Sequence, residues 1–132
     1  VLAACILPDQ SSALPGPAVI NITDKVISVK KAGRLTITQA QLLVRTKQIG
    51  NSATLCTYLG KGQTFGTGTS MCTVVYRFPK GPIVATGLVA RGALVFVLTI
   101  TGGSGYYTGV GGTITSNAVR PGRNKLYFQL TP

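Results

Sequence analysis

Very few side chains in this sequence can move a proton. It contains no His and no Glu, and its only carboxylates are Asp9 and Asp24, set against 13 Lys and Arg. General acid–base catalysis needs a group with a tunable pKa beside the reacting atom. Asp24 is the only acid within the strand-like part of the chain. It alternates in step with Ile20 and Ile22, which leaves open whether it faces a core or solvent. A cysteine nucleophile needs a neighbouring base or cation to generate its thiolate. With no His present, Cys56 is a poor candidate. Tyr58, Tyr76, Tyr106 and Tyr127 can donate hydrogen bonds, although core packing competes for the same rings. No metal site and no cofactor are expected.

The net charge of +11 has two readings: solubility for an otherwise apolar chain, or attraction to an acidic partner. Wall polysaccharide, anionic lipid and nucleic acid are the partner classes. Nucleic-acid binders cluster their basic residues with exposed aromatics, whereas Lys30–Lys31, Arg45–Lys47 and Arg120–Arg123 are scattered. That pattern speaks against nucleic acid and leaves acidic polysaccharide as the charged partner to consider. No apolar run approaches the roughly 18 to 20 residues of a membrane-spanning helix.

Three cysteines allow one intrachain pair at most. If the segments around Cys56 and Cys72 form a hairpin with its tip near Thr64, the two fall opposite one another, within reach of a bridge. Two buried thiols acting as small apolar side chains are the other reading, and both stand. Cys5, in Leu2-Ala3-Ala4-Cys5, resembles a bacterial lipobox, whose use would remove Val1 to Ala4. Pairing of Cys5 with another cysteine or another chain competes with that. Asn21-Ile22-Thr23 is an N-glycosylation acceptor. Together with a start at Val1 that suggests processing, it points to a secreted glycoprotein.

The elements that must position these groups are strands. Val, Ile and Thr dominate, and there are 17 glycines, a composition that favours sheet over helix. Residues 1–17, with Pro8, Pro15 and Pro17, read as an extended N-terminal arm, and residues 18–132 as one domain. Ala18–Lys30 alternates apolar and polar, and Lys31–Arg34 turns. The segment Leu35–Ile49 is ambiguous between strand and irregular chain. Thereafter strands are expected at Ser52–Gly60, Thr69–Phe78, Pro82–Ala90, Ala93–Thr101, Gly112–Val119 and Asn124–Thr131, separated by short turns. Such spacing predicts an antiparallel meander, closing as an all-β up-and-down barrel of about eight strands. Successive turns alternate between the two ends, so Lys61, Arg91, Arg120 and Arg123 are expected to form a basic rim, with Lys80 at the other end.

The glycines of Thr101-Gly102-Gly103-Ser104-Gly105-Tyr106-Tyr107-Thr108-Gly109-Val110-Gly111-Gly112 do not make a phosphate cradle. No Lys-Ser/Thr follows them and no helix begins there. They read instead as a tight loop with positive-φ residues at a barrel corner. This segment resembles the allene oxide cyclase/dirigent barrel superfamily, in which a strand leads into I-x-G-G-[ST]-G-x-[FY]-x-G-x-x-G. Gly50-Asn51-Ser52-Ala53-Thr54-Leu55-Cys56, Phe78-Pro79-Lys80-Gly81-Pro82-Ile83 with Gly87, and Asn124-Lys125-Leu126-Tyr127-Phe128 resemble further segments of that family, in order.

The resemblance implies an eight-stranded barrel with an apolar lumen, often a trimer, that binds a hydrophobic small molecule. In some members it implies steering of a cyclisation. Cys56 matches the family's pocket cysteine, and alternation puts Thr54 and Tyr58 on its face. Cys56, Tyr58, Tyr76, Phe96, Tyr106 and Tyr127 are the lumen candidates. The glutamate of the plant cyclases is missing, and of the acids only Asp24 falls among the strands. The reading that follows puts a secreted, non-catalytic binding or scaffold protein first. A cyclase or isomerase acting on a hydrophobic substrate is second. A self-assembling structural subunit, with Val1–Pro17 packed on a neighbour, is third.

Overall fold

The computed structural model describes residues 14–62 and 66–132, the side chains of residues 61–62 and 66–67 excepted. Most of the expected arm, Cys5, and the side chain of Lys61 lie outside the described residues. Eight strands follow one another: β1 (Ala18–Ala32), β2 (Leu35–Val44), β3 (Lys47–Gly62), β4 (Gly66–Phe78), β5 (Gly81–Ala90), β6 (Val95–Gly103), β7 (Gly111–Arg120) and β8 (Arg123–Thr131). A single 3-10 turn, Gly105–Tyr107, interrupts the loop between β6 and β7.

Each strand pairs antiparallel with its successor, and β8 pairs with β1 to close the barrel. Closure gives every described strand a partner on both sides, which limits the exposed edge that could template aggregation. It also fixes facing, because side chains alternate between lumen and exterior. The ambiguous stretch resolves into β2 and the start of β3, joined at Arg45-Thr46. Arg45 takes φ 59°, the left-handed conformation that a two-residue hairpin requires. Neither residue is a common turn former, which is why the hairpin was hard to see in the sequence.

The lumen is layered. Its lower half is filled by Leu42, Ile83, Ile114, Phe128 and Leu130, all nearly or completely buried. Tyr76 and Phe78 meet the Phe128 ring edge-on at centroid distances of 5.0 and 5.5 Å, the geometry aromatic quadrupoles favour. Leu14, Tyr107 and Val110 are buried in the same cluster and close the floor. An eight-stranded barrel is just wide enough either to be filled by side chains or to hold one small ligand. This one is filled below.

The glycine loop makes that floor. Its backbone docks on the β4–β5 hairpin, with Ser104 N–H donating to the Pro82 carbonyl (3.1 Å) and Tyr106 N–H to that of Lys80 (3.0 Å). Gly105, at φ +62°, comes so near that a Cβ there would sit 2.7 Å from the Lys80 oxygen. Gly112, at φ +123°, packs flat on the carbonyl of Gln129, where any side chain would collide. Glycine is thus required by close approach as well as by conformation, as expected of a corner loop.

Candidate functional site

Above the aromatic layer a cavity of about 190 Å³ opens, its largely apolar lining interrupted by the polar side chains of Asp24, Thr38, Ser52, Thr54, Ser116 and Asn124. Asp24 and Val26 on β1, Thr38 and Ala40 on β2, and Ser52, Thr54 and Cys56 on β3 form one wall. Cys72, Val74 and Tyr76 on β4, Val89 on β5, Phe96 and Leu98 on β6, Ser116 on β7, and Asn124 and Leu126 on β8 complete it. Engineered apolar cavities of about 150 Å³ hold a benzene, so this one accommodates a ring. Cys56, Cys72 and Val89 also line a second hollow of about 540 Å³ at the mouth, together with Lys31, Arg34, Tyr58 and Arg91.

Asp24, whose facing the sequence left undecided, points into the lumen. It pairs in register with Asn124 of β8, and the Asn124 side-chain amide donates to its carboxylate at 2.9 Å. Burial raises the Asp24 pKa above the ordinary 3.8, outweighing the hydrogen bonds from Asn124, which lower it. Tyr76 lines the same cavity. Burial pushes its phenol far above the usual range, and the nearby Asp24 charge pushes the same way, so Tyr76 acts as a neutral hydrogen-bonding group. A carboxyl with a raised pKa beside a neutral phenol, on an apolar cavity, can accept and return a proton.

The raised pKa carries a stability signature. In the unfolded chain Asp24 ionises around its ordinary value of 3.8, while in the fold it holds its proton to higher pH. Ionised Asp24 therefore costs stability, a penalty that is absent below the unfolded pKa and fully present above the folded one. Asp24→Asn is expected to raise the thermal midpoint at pH 7, with the gain shrinking to nothing as pH falls below 3.8. Thermal melts from pH 3 to 7 measure this, and a variant less stable at pH 7 would contradict the burial argument.

The sequence-picked residues divide. Cys56 and Cys72 are joined by a disulfide directly across β3 and β4, the hairpin pairing that the spacing made possible. Cys56, Tyr76 and Phe96 line the deep cavity, and Tyr58 lies at the mouth, where its hydroxyl overlies Gly68. Tyr127 does not line the cavity. Leu126, Phe128 and Leu130 take the inward positions of β8, so Tyr127 faces outward. Tyr106 also stands away from the cavity: it belongs to the floor loop at the closed end, packed edge-on to Tyr107 and beneath the Lys80 ammonium. Asn21 sits on the exposed face of β1.

Arg91, Arg120 and Arg123 flank turns at the open end, and Lys80 lies at the floor. Of the described members of that rim set, Arg91 lines the mouth, in the company of Lys31 and Arg34, while Arg120 and Arg123 do not. Neither Lys31 nor Arg34 belonged to the rim expected from the sequence, although the same alternation places the β1–β2 turn, with Arg34 in it and Lys31 at the end of β1, at the open end. Asn124, Ser52 and Ser116 were also missed. Counting back by twos from the buried Phe128 reaches Asn124.

No family profile and no curated protein sequence matches the chain. Solved structures do match. Pyocyanin demethylase superposes with a TM-score of 0.74 at 24% identity, over 86% of this chain and 100% of that one. The Diels–Alderase AbmU from Streptomyces koyangensis gives 0.72 at 17% identity, over 86% of this chain and 63% of that one. The pterocarpan synthase dirigent protein GePTS1 gives 0.63 at 12% identity, over 95% of this chain and 92% of that one.

Proposed function

From a fold shared with dirigent and cyclase barrels, as the glycine loop led one to expect, we propose that this protein binds a hydrophobic, ring-bearing small molecule in its lumen. It then promotes cyclisation or isomerisation, with Asp24 taking and returning the proton. The observation that carries this reading is the placement of Asp24: the barrel's one described carboxyl lines the ring-sized cavity, half-buried and oriented by Asn124. The missing glutamate favoured a non-catalytic scaffold in the sequence reading. An inward acid with a raised pKa favours chemistry instead. The structural neighbours named for demethylase, Diels–Alderase and pterocarpan synthase activities lend support, since each of those names denotes chemistry on a small organic molecule.

Secretion belongs to the same proposal, supported by the Cys56–Cys72 disulfide, a bond that persists in oxidising compartments. So does a homo-oligomer, supported by the exposed Leu88, Leu94, Val95 and Val97 on β5, β6 and the turn between them.

A general-base reporter tests the chemistry without knowledge of the natural substrate. The carboxylate of Asp24 would remove the C3 proton of 5-nitrobenzisoxazole, breaking the N–O bond and releasing a coloured cyanophenolate. The rate is expected to rise with pH through the raised Asp24 pKa and then level off. It should fall on the order of a hundredfold in Asp24→Asn, and also in Ala40→Trp, which fills the cavity. Equal rates in wild type and Asp24→Asn would overturn the catalytic assignment.

A further inference from the structure

Resting on the lumen reading, we infer that the ligand is an amphipathic anion, its apolar ring in the deep cavity and its carboxylate, sulfonate or phosphate head at the mouth among Lys31, Arg34 and Arg91. Three observations converge. First, the mouth hollow adjoins the deep cavity, with Cys56, Cys72 and Val89 as walls common to both. Second, the described lining of the mouth carries three cations, Lys31 at the end of β1, Arg34 in the β1–β2 turn and Arg91 in the β5–β6 turn, and no carboxylate. Third, the Arg34 guanidinium is already held: its Nη1 donates to the Tyr58 carbonyl at 3.1 Å. A pre-positioned planar donor set loses less side-chain freedom when it grips an anion, and it suits the two oxygens of a carboxylate or sulfonate.

The interior sets the ligand's direction. An anionic head placed deep would lose its hydration among Val74, Leu98 and Leu126 and face the Asp24 carboxylate. Both effects are unfavourable. At the mouth the head keeps water on one side and gains three cations. The apolar end is then delivered to Asp24 and Tyr76 in one orientation. For a substrate, that orientation selects which atom meets the carboxyl, so the mouth cations act as specificity residues for the chemistry below.

Two fluorescent probes that differ only in the charged group make the test: 1-anilinonaphthalene-8-sulfonate and the neutral N-phenyl-1-naphthylamine. Wild type is expected to bind the sulfonate about tenfold more tightly than the neutral probe, and raised salt should erode that preference while leaving neutral binding unchanged. The triple variant Lys31→Gln/Arg34→Gln/Arg91→Gln should bind both probes alike. A wild type that binds both equally, or a folded triple variant that keeps the preference, overturns the inference. Ala40→Trp separates this from the lumen reading itself. If it leaves neutral-probe binding intact, the probe is not in the cavity and both readings fall. If it abolishes that binding and no anion preference is found, only the anion inference falls.

Discussion

Phe128→Ala is expected to cost about 3–5 kcal/mol of folding stability, a large fraction of the 5–15 kcal/mol typical of a domain. Phe128 is 0% exposed and sits where the rings of Tyr76 and Phe78 converge. Truncation forfeits the transfer free energy of the ring and both edge-to-face contacts, and it leaves a void that strands pinned on both sides cannot collapse to fill. Phe128→Leu keeps most of the volume and should cost less. Urea unfolding at constant m-value measures both. A loss below about 1 kcal/mol for the alanine variant would show that the lower lumen is not packed as described.

Removing the Cys56–Cys72 bridge by double alanine substitution is expected to cost about 3 kcal/mol, the loop-closure entropy released when a cross-link of this span disappears. The two residues are separated by 16 positions and paired in register within one hairpin. Wild type under reducing conditions should therefore approach the stability of the variant, and the variant should be indifferent to reductant. The same residues line both the cavity and its mouth, so ligand binding should weaken along with stability. Reduction without effect on the urea midpoint would show that the bridge contributes nothing to the fold.

The fold was legible because alternation and glycine-rich punctuation are local signals. A strand of period two bounded by Pro-Lys-Gly or Arg-Pro-Gly carries its own boundaries. The Arg45-Thr46 hairpin was not legible, since its left-handed residue is an arginine imposed by the pairing on either side. Facing was harder than existence. Tyr127 and Phe128 are adjacent aromatics, and only the closed register decides that Phe128 enters the lumen and Tyr127 faces out. Asp24 was ambiguous for the same reason, because its partner Asn124 lies 100 residues away. No short-range pattern connects them. Lys31 and Arg34 were visible as neighbours of the first turn, but the role proposed for them depends on an open mouth, a three-dimensional property.

The seam between β1 and β8 has a consequence for the order in which the molecule assembles. Every other pairing joins neighbours in the chain and can form early, since short loops close at little entropic cost. The seam alone joins opposite ends, with Ala18 beside Leu130, and it should zip last. The Asp24–Asn124 hydrogen bond spans that seam, so a nearly folded meander has a core in the making but no oriented acid. Competence for the proposed chemistry would then appear only at the final step of folding, and any strain that parts β1 from β8 would remove it before the rest of the barrel opens.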